Sequence, residues 1–490
     1  MKLVYDVSDR PAFKKVLLFA FQQMIAIMAA TLLVPMLVTS FGLEADPSAA
    51  LFGAGIGTLV YIFFTQKKSP VFLGSSFTFL GAYSASIGQN FGYLGIILGV
   101  LFAGLVYVII GLIIKYVGPK WVNMLMPSVI IGPIVAIIGL SLSGTATSWM
   151  ATNGGDDYSL LTILIGAITF FAIVIASVKG SENIRLVPFI VGIAIGYFIA
   201  LGLTLVGGAA DIDSLQVMSF DSFETAFKPL TFSSFIRIPD FFFVKAIQEK
   251  GWMTLSLADI GSIAIIYVPI GVVELAQHIA DHKNLGNIIN KDLIIDPGLD
   301  KTLMGDGVGS IVGSLFGGAA NTTYGESIGC VAITGNASIV TIAVASLGSM
   351  ILSFFTPFVA IINSIPKCVM GGACVALYGF IAVSGLQMLR RVDLNNNKNL
   401  FIVSGILVTG IGGLTLEFGT NKLTGGPILT ITSLAVALLF GFITNLIVNN
   451  GRFEEEYSEK DLKKAQPEAL AAKGVTPVAP RKDRKKKGKK

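Results

Sequence analysis

Pro70-Val71-Phe72-Leu73-Gly74-Ser75-Ser76-Phe77-Thr78-Phe79 and Gly317-Gly318-Ala319-Ala320-Asn321-Thr322-Thr323-Tyr324-Gly325-Glu326-Ser327 are the two stretches that decide how this chain is read. Both lie among long apolar runs, yet both are short and broken by glycine and small polar residues, so neither makes a good continuous membrane helix. Non-helical backbone at membrane depth persists only where protein buries it or where it lines a cavity, because lipid offers its N–H and C=O groups no partner. One such break falls at a corresponding place in each half of the chain. Paired breaks of this kind point to a substrate site near the bilayer midplane. The plainer alternative is that each is a re-entrant loop or a surface connection.

The surroundings of the breaks set the membrane context. Of 490 residues, 53% are hydrophobic and 13% charged, with a mean hydropathy of +0.77. A soluble domain runs near ~25% charged and a disordered chain lacks this apolar mass, so both classes are excluded. Apolar segments fall at about 16–38, 49–65, 70–87, 93–115, 124–142, 159–178, 186–207, 254–280, 303–318, 320–334, 336–363, 368–388, 399–415 and 426–448, some fourteen in all. The fold class is therefore an all-α polytopic membrane protein. Residues 16–38 are too long for a signal-peptide core and lack a clear cleavage site, so they read as the first span. Cys330, Cys368 and Cys374 are too few and too apolar in context for a disulfide framework.

Charge gives the orientation. Residues 452–490 hold 13 Lys/Arg and 7 Asp/Glu, which leaves 22 basic and 23 acidic groups in the body. The overall +5 thus belongs to the tail and implies no nucleic-acid partner. Lys2, Arg10, Lys14 and Lys15 precede the first span, Lys67 and Lys68 follow the second, Lys179 and Arg185 the sixth, and Arg390, Arg391 and Lys398 the twelfth. The opposite loops at 39–48 and 143–158 hold Glu44, Asp46, Asp156 and Asp157 but no Lys or Arg. By the positive-inside rule both termini are cytoplasmic. Residues 1–15 are then a cytoplasmic N-terminus, 16–207 a first repeat of seven segments, and 208–252 an extracytoplasmic connection. Residues 253–449 are a second repeat and 450–490 a charged cytoplasmic tail, a short helix ending in a disordered basic run that could touch anionic membrane lipid. An odd number of segments per half requires the halves to be inverted relative to each other.

Chemistry concentrates at a few positions. Glu274, Gln277, His278 and Asp281 sit at i, i+3, i+4 and i+7 of the eighth segment, on one helix face. Ionisable groups inside a membrane are costly and face interior cavities or pathways. His282 and Lys283 read instead as solvated groups where that helix leaves the membrane. Glu326, in the tenth segment, can accept hydrogen bonds from ring N–H groups or take up a proton; the alternative is a satisfied polar group between packed helices. Gly305, Gly309, Gly313 and Gly317 repeat every four residues, a smooth stripe for close helix packing. Asp306 beside it either fixes that helix end or joins a buried polar network. His278, Asp281 and His282 are metal-ligand types at helical spacing, but with two histidines in the chain and no third cluster, a metal site is not expected. Asn321-Thr322-Thr323 matches a glycosylation triplet but falls within the membrane.

At these residues the chain resembles the nucleobase–ascorbate transporter family, also called nucleobase–cation symporter-2, and within it bacterial uracil permeases. The motifs are Gly74-Ser75-Ser76-Phe77 after Pro70, Asp296-Pro297-Gly298-Leu299, Asp306-Gly307, Asn321 through Gly329, and Pro366 followed by Val369-Met370-Gly371-Gly372. The resemblance runs over most of residues 10–448. It implies fourteen segments in two inverted repeats. Segments one to four and eight to eleven would form a core, and five to seven and twelve to fourteen a gate through which members dimerise. Segments three and ten would each begin as a short antiparallel strand and continue as a half-helix. The base would bind between them, touching Phe77, Gly325, Glu326 and Gln277, with Tyr324 against the ring. Gln23, Ser76, Asp306 and Asn321 would form the supporting polar network.

Two departures from the family pattern matter. Its first span usually has Gln-His where this chain has Gln22-Gln23, and its eighth span has Glu where this chain has Gln277. An amide can donate and accept hydrogen bonds but cannot titrate, so proton coupling would fall to Glu326, Asp281, Glu274 or His278. The resemblance implies a bacterial-type cell-membrane importer of a uracil-like base, driven by H+, with no cofactor and an elevator-like core-against-gate movement. A xanthine or other purine transporter of the same family, an anion channel or exchanger of related architecture, and an intramembrane hydrolase are the alternatives.

Overall fold

The computed structural model describes residues 3–118, 121, 127–155, 157–185, 187–250, 253, 255–390, 392–419 and 429–449. The charged tail expected at 450–490, and Lys2, Asp156 and Arg391 of the orientation pattern, lie outside the described residues.

Helices α1 (Phe13–Ser40) and α2 (Pro47–Phe64) lead into strand β1 (Leu73–Ser75), the short helix α3 (Leu80–Gly88) and α4 (Gly92–Val117). Then come α5 (Ser128–Ser141), α6 (Ser143–Thr152), α7 (Leu160–Lys179) and α8 (Pro188–Ala210). The second half opens with α9 (Leu257–Ile289) and α10 (Leu299–Gly317), followed by β2 (Asn321–Thr323) and α11 (Gly325–Thr334). It closes with α12 (Ile339–Leu352), α13 (Thr356–Asn363), α14 (Lys367–Leu389), α15 (Asn397–Ile411) and α16 (Ser433–Val448). Among the described residues eight helices are long and apolar enough to cross a membrane: α1, α2, α4, α5 continuing into α6, α7, α8, α9 and α14. Helices α12, α15 and α16 are apolar but shorter.

Two helix starts show local capping chemistry. Asp46 accepts the Ser48 N–H ahead of Pro47, the first residue of α2, and Ser256 with Asp259 forms a capping box at the start of α9. The eighth apolar segment, expected to end near 280, continues as helix to Ile289. No glycine pair or proline interrupts 281–289, and Leu285, Gly286 and Ile289 are buried.

The helices pack in two groups, each drawing on both halves of the chain. Helices α1 to α4 pack with α9 to α12, and α5 to α8 pack with α14 to α16. In the first group α2 and α10 approach through glycine. A Cβ on Gly57 would lie 2.8 Å from the Gly309 carbonyl oxygen, and one on Gly309 the same distance from that of Gly57. Gly53 and Gly313 face each other likewise. The expected glycine stripe is therefore the floor of a helix crossing.

That crossing supports a two-stranded ribbon, β1 antiparallel to β2, with Leu73 opposite Thr323, Gly74 opposite Thr322 and Ser75 opposite Asn321. The ribbon is closed by Ser76 N–H to Ala320 O at 2.8 Å and Tyr324 N–H to Phe72 O at 3.3 Å. Two strands leave outward-facing backbone groups with no ladder partner, which a membrane interior does not tolerate. Flanking helices supply them. Leu73 N–H donates to Thr58 Oγ1 of α2 at 2.9 Å, and the Ser310 hydroxyl of α10 donates to Asn321 O.

Outside the bundle, the start of the connection after α8 is tied to the second group, where Val217 and Met218 N–H donate to Thr204, and its later part is pinned to the first. Arg237 pairs with Asp46, and its N–H donates to Phe354 O at 3.0 Å. The N-terminal segment bridges Tyr5 to Asn336, just past α11, and Lys291 pairs with Asp6 at 2.8 Å.

Candidate functional site

A cavity of about 280 Å3 lies between the two helix groups. One wall is polar. Ser76, Phe77 and Thr78 come from the turn after β1, Thr322 from β2, Tyr324, Gly325 and Glu326 from the start of α11, and Gln277, Ala280 and Asp281 from α9. The facing wall is largely apolar: Val135 and Ile138 of α5, Phe189 of α8, and Phe380, Ile381, Ser384 and Met388 of α14. The two broken stretches thus meet at one chamber, which the re-entrant-loop alternative did not require.

Glu326 stands in the first turn of α11, half-buried and lining the cavity. The N-cap residue Tyr324 gives no side-chain cap, so the first-turn N–H groups have no capping oxygen from that position. Such a helix start can donate to a ligand. Gly325 opens onto the chamber: a Cβ built there meets nothing within 4 Å. Gly74, by contrast, is kept by close approach, because a Cβ there would run into the Tyr324 ring. Tyr324 is held by its hydroxyl, which donates to Ser75 O at 2.8 Å. Phe77 packs edge-on against Tyr378, with ring centroids 5.6 Å apart.

The four-residue face of α9 divides. Gln277 and Asp281 line the cavity, and Asp281 accepts the Thr323 hydroxyl at 3.1 Å. Glu274 is buried behind that wall, where Ser76 donates to its Oε1 at 3.2 Å. His278 turns away from the cavity: Nδ1 meets Asp306 Oδ2 at 2.6 Å and Nε2 meets Thr302 Oγ1 at 3.1 Å. Gln23 of α1 donates to Ser327 Oγ, which accepts Phe72 N–H at 2.9 Å, tying α1 to both broken segments. The Asn321 amide packs against Gly313, where a Cβ would overlap it.

One expectation is corrected. His282 is not solvated at a helix end: it is 1% exposed and stacks on His278 with centroids 4.0 Å apart. Its Nδ1 meets His278 O at 2.8 Å and its Nε2 meets the Tyr61 hydroxyl at 2.6 Å. Because α9 runs on to Ile289, the i+4 spacing places His282 on the buried His278 side, while Lys283 is exposed. Among the described residues no group of three or more His, Cys, Asp or Glu could hold a metal ion. Thr58 and Ser310, and the apolar wall from Phe189 to Met388, were not singled out by sequence. Hydroxyl residues and apolar helix faces are common in membrane helices, so only the strand pairing reveals the first and only the packing the second.

The geometry can be set beside known proteins. Residues 14–419 match the model of the xanthine/uracil permeases, described as Permease family. The uracil permease of Bacillus caldolyticus is 37% identical over 452 residues, 91% of this chain and 95% of that protein. The uracil permease of Paenibacillus larvae subsp. larvae is 34% identical over 454 residues, 91% of this chain and 99% of that protein. Among solved structures, the transmembrane domain of a cyanobacterium bicarbonate transporter, BicA, matches with a TM-score of 0.57 at 15% identity, over 90% of this chain and all of that one; this likeness speaks to the fold alone. A family match over most of the length, together with eight helices fit to cross a membrane, makes this a multi-pass transporter rather than an enzyme, and the chain belongs to the nucleobase–ascorbate transporter family of permeases.

Proposed function

We propose that this permease imports a nucleobase, uracil first, by proton symport, with the base held between the two broken segments. The observation that carries this reading is the chamber itself, where Glu326, Gln277 and an uncapped helix start face an apolar wall. Uracil presents N–H donors beside carbonyl acceptors on one flat ring. The Glu326 carboxylate accepts from N–H, the first N–H groups of α11 donate to a carbonyl, and the Gln277 amide does either. The apolar wall suits the carbon edge of the ring. The relatives named uracil permease support the choice of base.

Proton coupling falls to Glu326 and Asp281, the acidic groups that line the chamber. His278 and Glu274 stand behind the wall, hydrogen-bonded to Asp306 and Ser76, and are not assigned the proton. The polar wall belongs to one helix group and the apolar wall to the other, so access alternates as the first group slides against the second. Fourteen segments in two inverted repeats account for two ribbon strands that run antiparallel and each lead into a short helix. We further propose a bacterial-type cell membrane, both termini in the cytoplasm, and a dimer through the second helix group. A xanthine or other purine substrate remains the competing choice of base, resolved by competition. An anion exchanger would use the uncapped start of α11, but a carboxylate in that same turn opposes it.

Uptake of labelled uracil into cells lacking their own permeases tests the proposal. Accumulation that collapses when the proton gradient is discharged is the expected result. No accumulation of any base, or sulfate, chloride or bicarbonate flux in its place, would end it.

A further inference from the structure

The buried polar cluster behind the cavity has no part in holding the base, yet it is built around the strand that does. Asp306 and Ser310 stand one turn apart on α10: Ser310 donates to Asn321 O of β2, and Asp306 is buried with its Oδ1 left without a hydrogen-bond partner. Thr323 is reached from α9, where Asp281 accepts its hydroxyl at 3.1 Å. Three residues beyond Thr323 the chain presents Glu326. Asp306 thus lies on the α10 face that supports β2 through Ser310, and the direction of its carboxylate bears on the strand beside it. His278 fixes that direction, since its Nδ1 lies 2.6 Å from Asp306 Oδ2. His278 is in turn held by Thr302 at 3.1 Å, by the edge of Tyr107 and by the stacked ring of His282, and both His278 and Asp306 are essentially without solvent exposure.

We propose that His278 is a positioning residue: through Asp306 it holds strand β2 in register and so places Glu326 in the substrate chamber. This deepens the transport reading and rests on it for the role of Glu326. The carboxylate of Asp306 needs a donor at one point in space, and the imidazole Nδ1–H provides it. A rigid, buried donor is the kind of support that holds a binding constellation within a fraction of an ångström. On this account the proton of the imidazole stays in place during transport.

The side-chain geometry supplies a sharp test. An Asn at 278 brings an amide N–H close to the Nδ1 position, whereas Gln reaches toward the Nε2 position and Leu brings no donor. In uptake assays His278→Leu is expected to raise the KM for uracil by about tenfold or more, while His278→Asn stays within about threefold of the unsubstituted protein and His278→Gln falls between. Mere loss of folded protein would lower the maximal rate and leave KM unchanged. His278→Leu combined with Asp306→Leu is expected to be no worse than the worse single variant, because the two act as one unit. A substrate-independent reading comes from amide hydrogen exchange of purified protein over residues 319–327. Exchange should rise in His278→Leu and stay unchanged in His278→Asn, whether or not uracil proves to be the cargo. The proposal is overturned if exchange in His278→Leu is unchanged, or if His278→Asn is as impaired as His278→Leu. It is equally overturned if His278→Asn keeps its KM but loses its response to a pH gradient, since His278 would then be carrying the proton. Absence of base uptake by every form, with exchange behaving as expected, would fault the transport reading and leave the positioning role standing.

Discussion

Ser76 donates its hydroxyl to Oε1 of Glu274 at 3.2 Å, so the carboxylate one turn before Gln277 faces the broken strand and not the chamber. Glu274, the acidic group one turn from the untitratable Gln277, thus meets Ser76 rather than the chamber. Gln277→Glu places a titratable carboxyl at the chamber wall and should increase uptake driven by an imposed pH gradient. An unchanged pH response would mean that the proton site lies elsewhere than at this position. Glu274→Gln keeps an acceptor for Ser76 and should retain uptake, whereas Glu274→Ala leaves the buried Ser76 O–H without its acceptor, at about 1–3 kcal/mol.

Gly325 and Gly309 should respond in opposite ways to the same added methyl group. A Cβ at Gly325 meets nothing within 4 Å, so Gly325→Ala should leave thermal stability within about 0.5 kcal/mol while lowering uracil affinity by about tenfold. Intact affinity would mean that the base does not approach this backbone.

At Gly309 the Cβ would lie 2.8 Å from the Gly57 carbonyl oxygen and 2.9 Å from Leu73 Cδ1. Backbone cannot yield as a side-chain tip does, so Gly309→Ala should destabilise the folded protein by about 1–3 kcal/mol. Thermal unfolding in detergent measures this, and an unchanged midpoint would contradict the packing of α2 on α10.

How far the sequence reveals this site depends on the kind of signal each residue leaves. The breaks at 70–79 and 317–327 were legible because glycine and small polar residues are conspicuous within apolar runs. The glycine stripe was legible through its period of four, and Glu326 because a carboxylate in such a setting needs a reason. His282 was misread because nothing in Asp281-His282-Lys283 distinguishes a helix leaving the membrane from one continuing beneath neighbours; only Tyr61, 221 residues earlier, settles it. Thr58, Ser310 and Thr323 gain their meaning from the pairing of β1 with β2, whose register sets Leu73 against Thr323, 250 residues later. The apolar wall of Val135, Ile138, Phe380 and Met388 looks like any lipid-facing surface until the two helix groups are brought together.

Asp6 offers a pH test outside the membrane. The Lys291 ammonium hydrogen-bonds its carboxyl and holds it below the ordinary carboxylate value. The pair therefore stabilises the N-terminal segment at pH values above that ordinary value, and the contribution is lost as pH falls through the lowered one. Both side chains are over two-fifths exposed, so Asp6→Asn should cost under about 1 kcal/mol near pH 7. In thermal unfolding the two proteins should converge in strong acid. A difference that persists there would show that Asp6 acts other than through its charge.

Equilibrium binding of uracil to the purified protein, compared with Glu326→Ala, tests the central claim most directly. The account predicts saturable binding in the micromolar range, about −8 kcal/mol, for the unsubstituted protein, and its loss in the variant with the fold intact. Undiminished binding by Glu326→Ala would contradict it, because the base would then rest elsewhere than between the two broken segments.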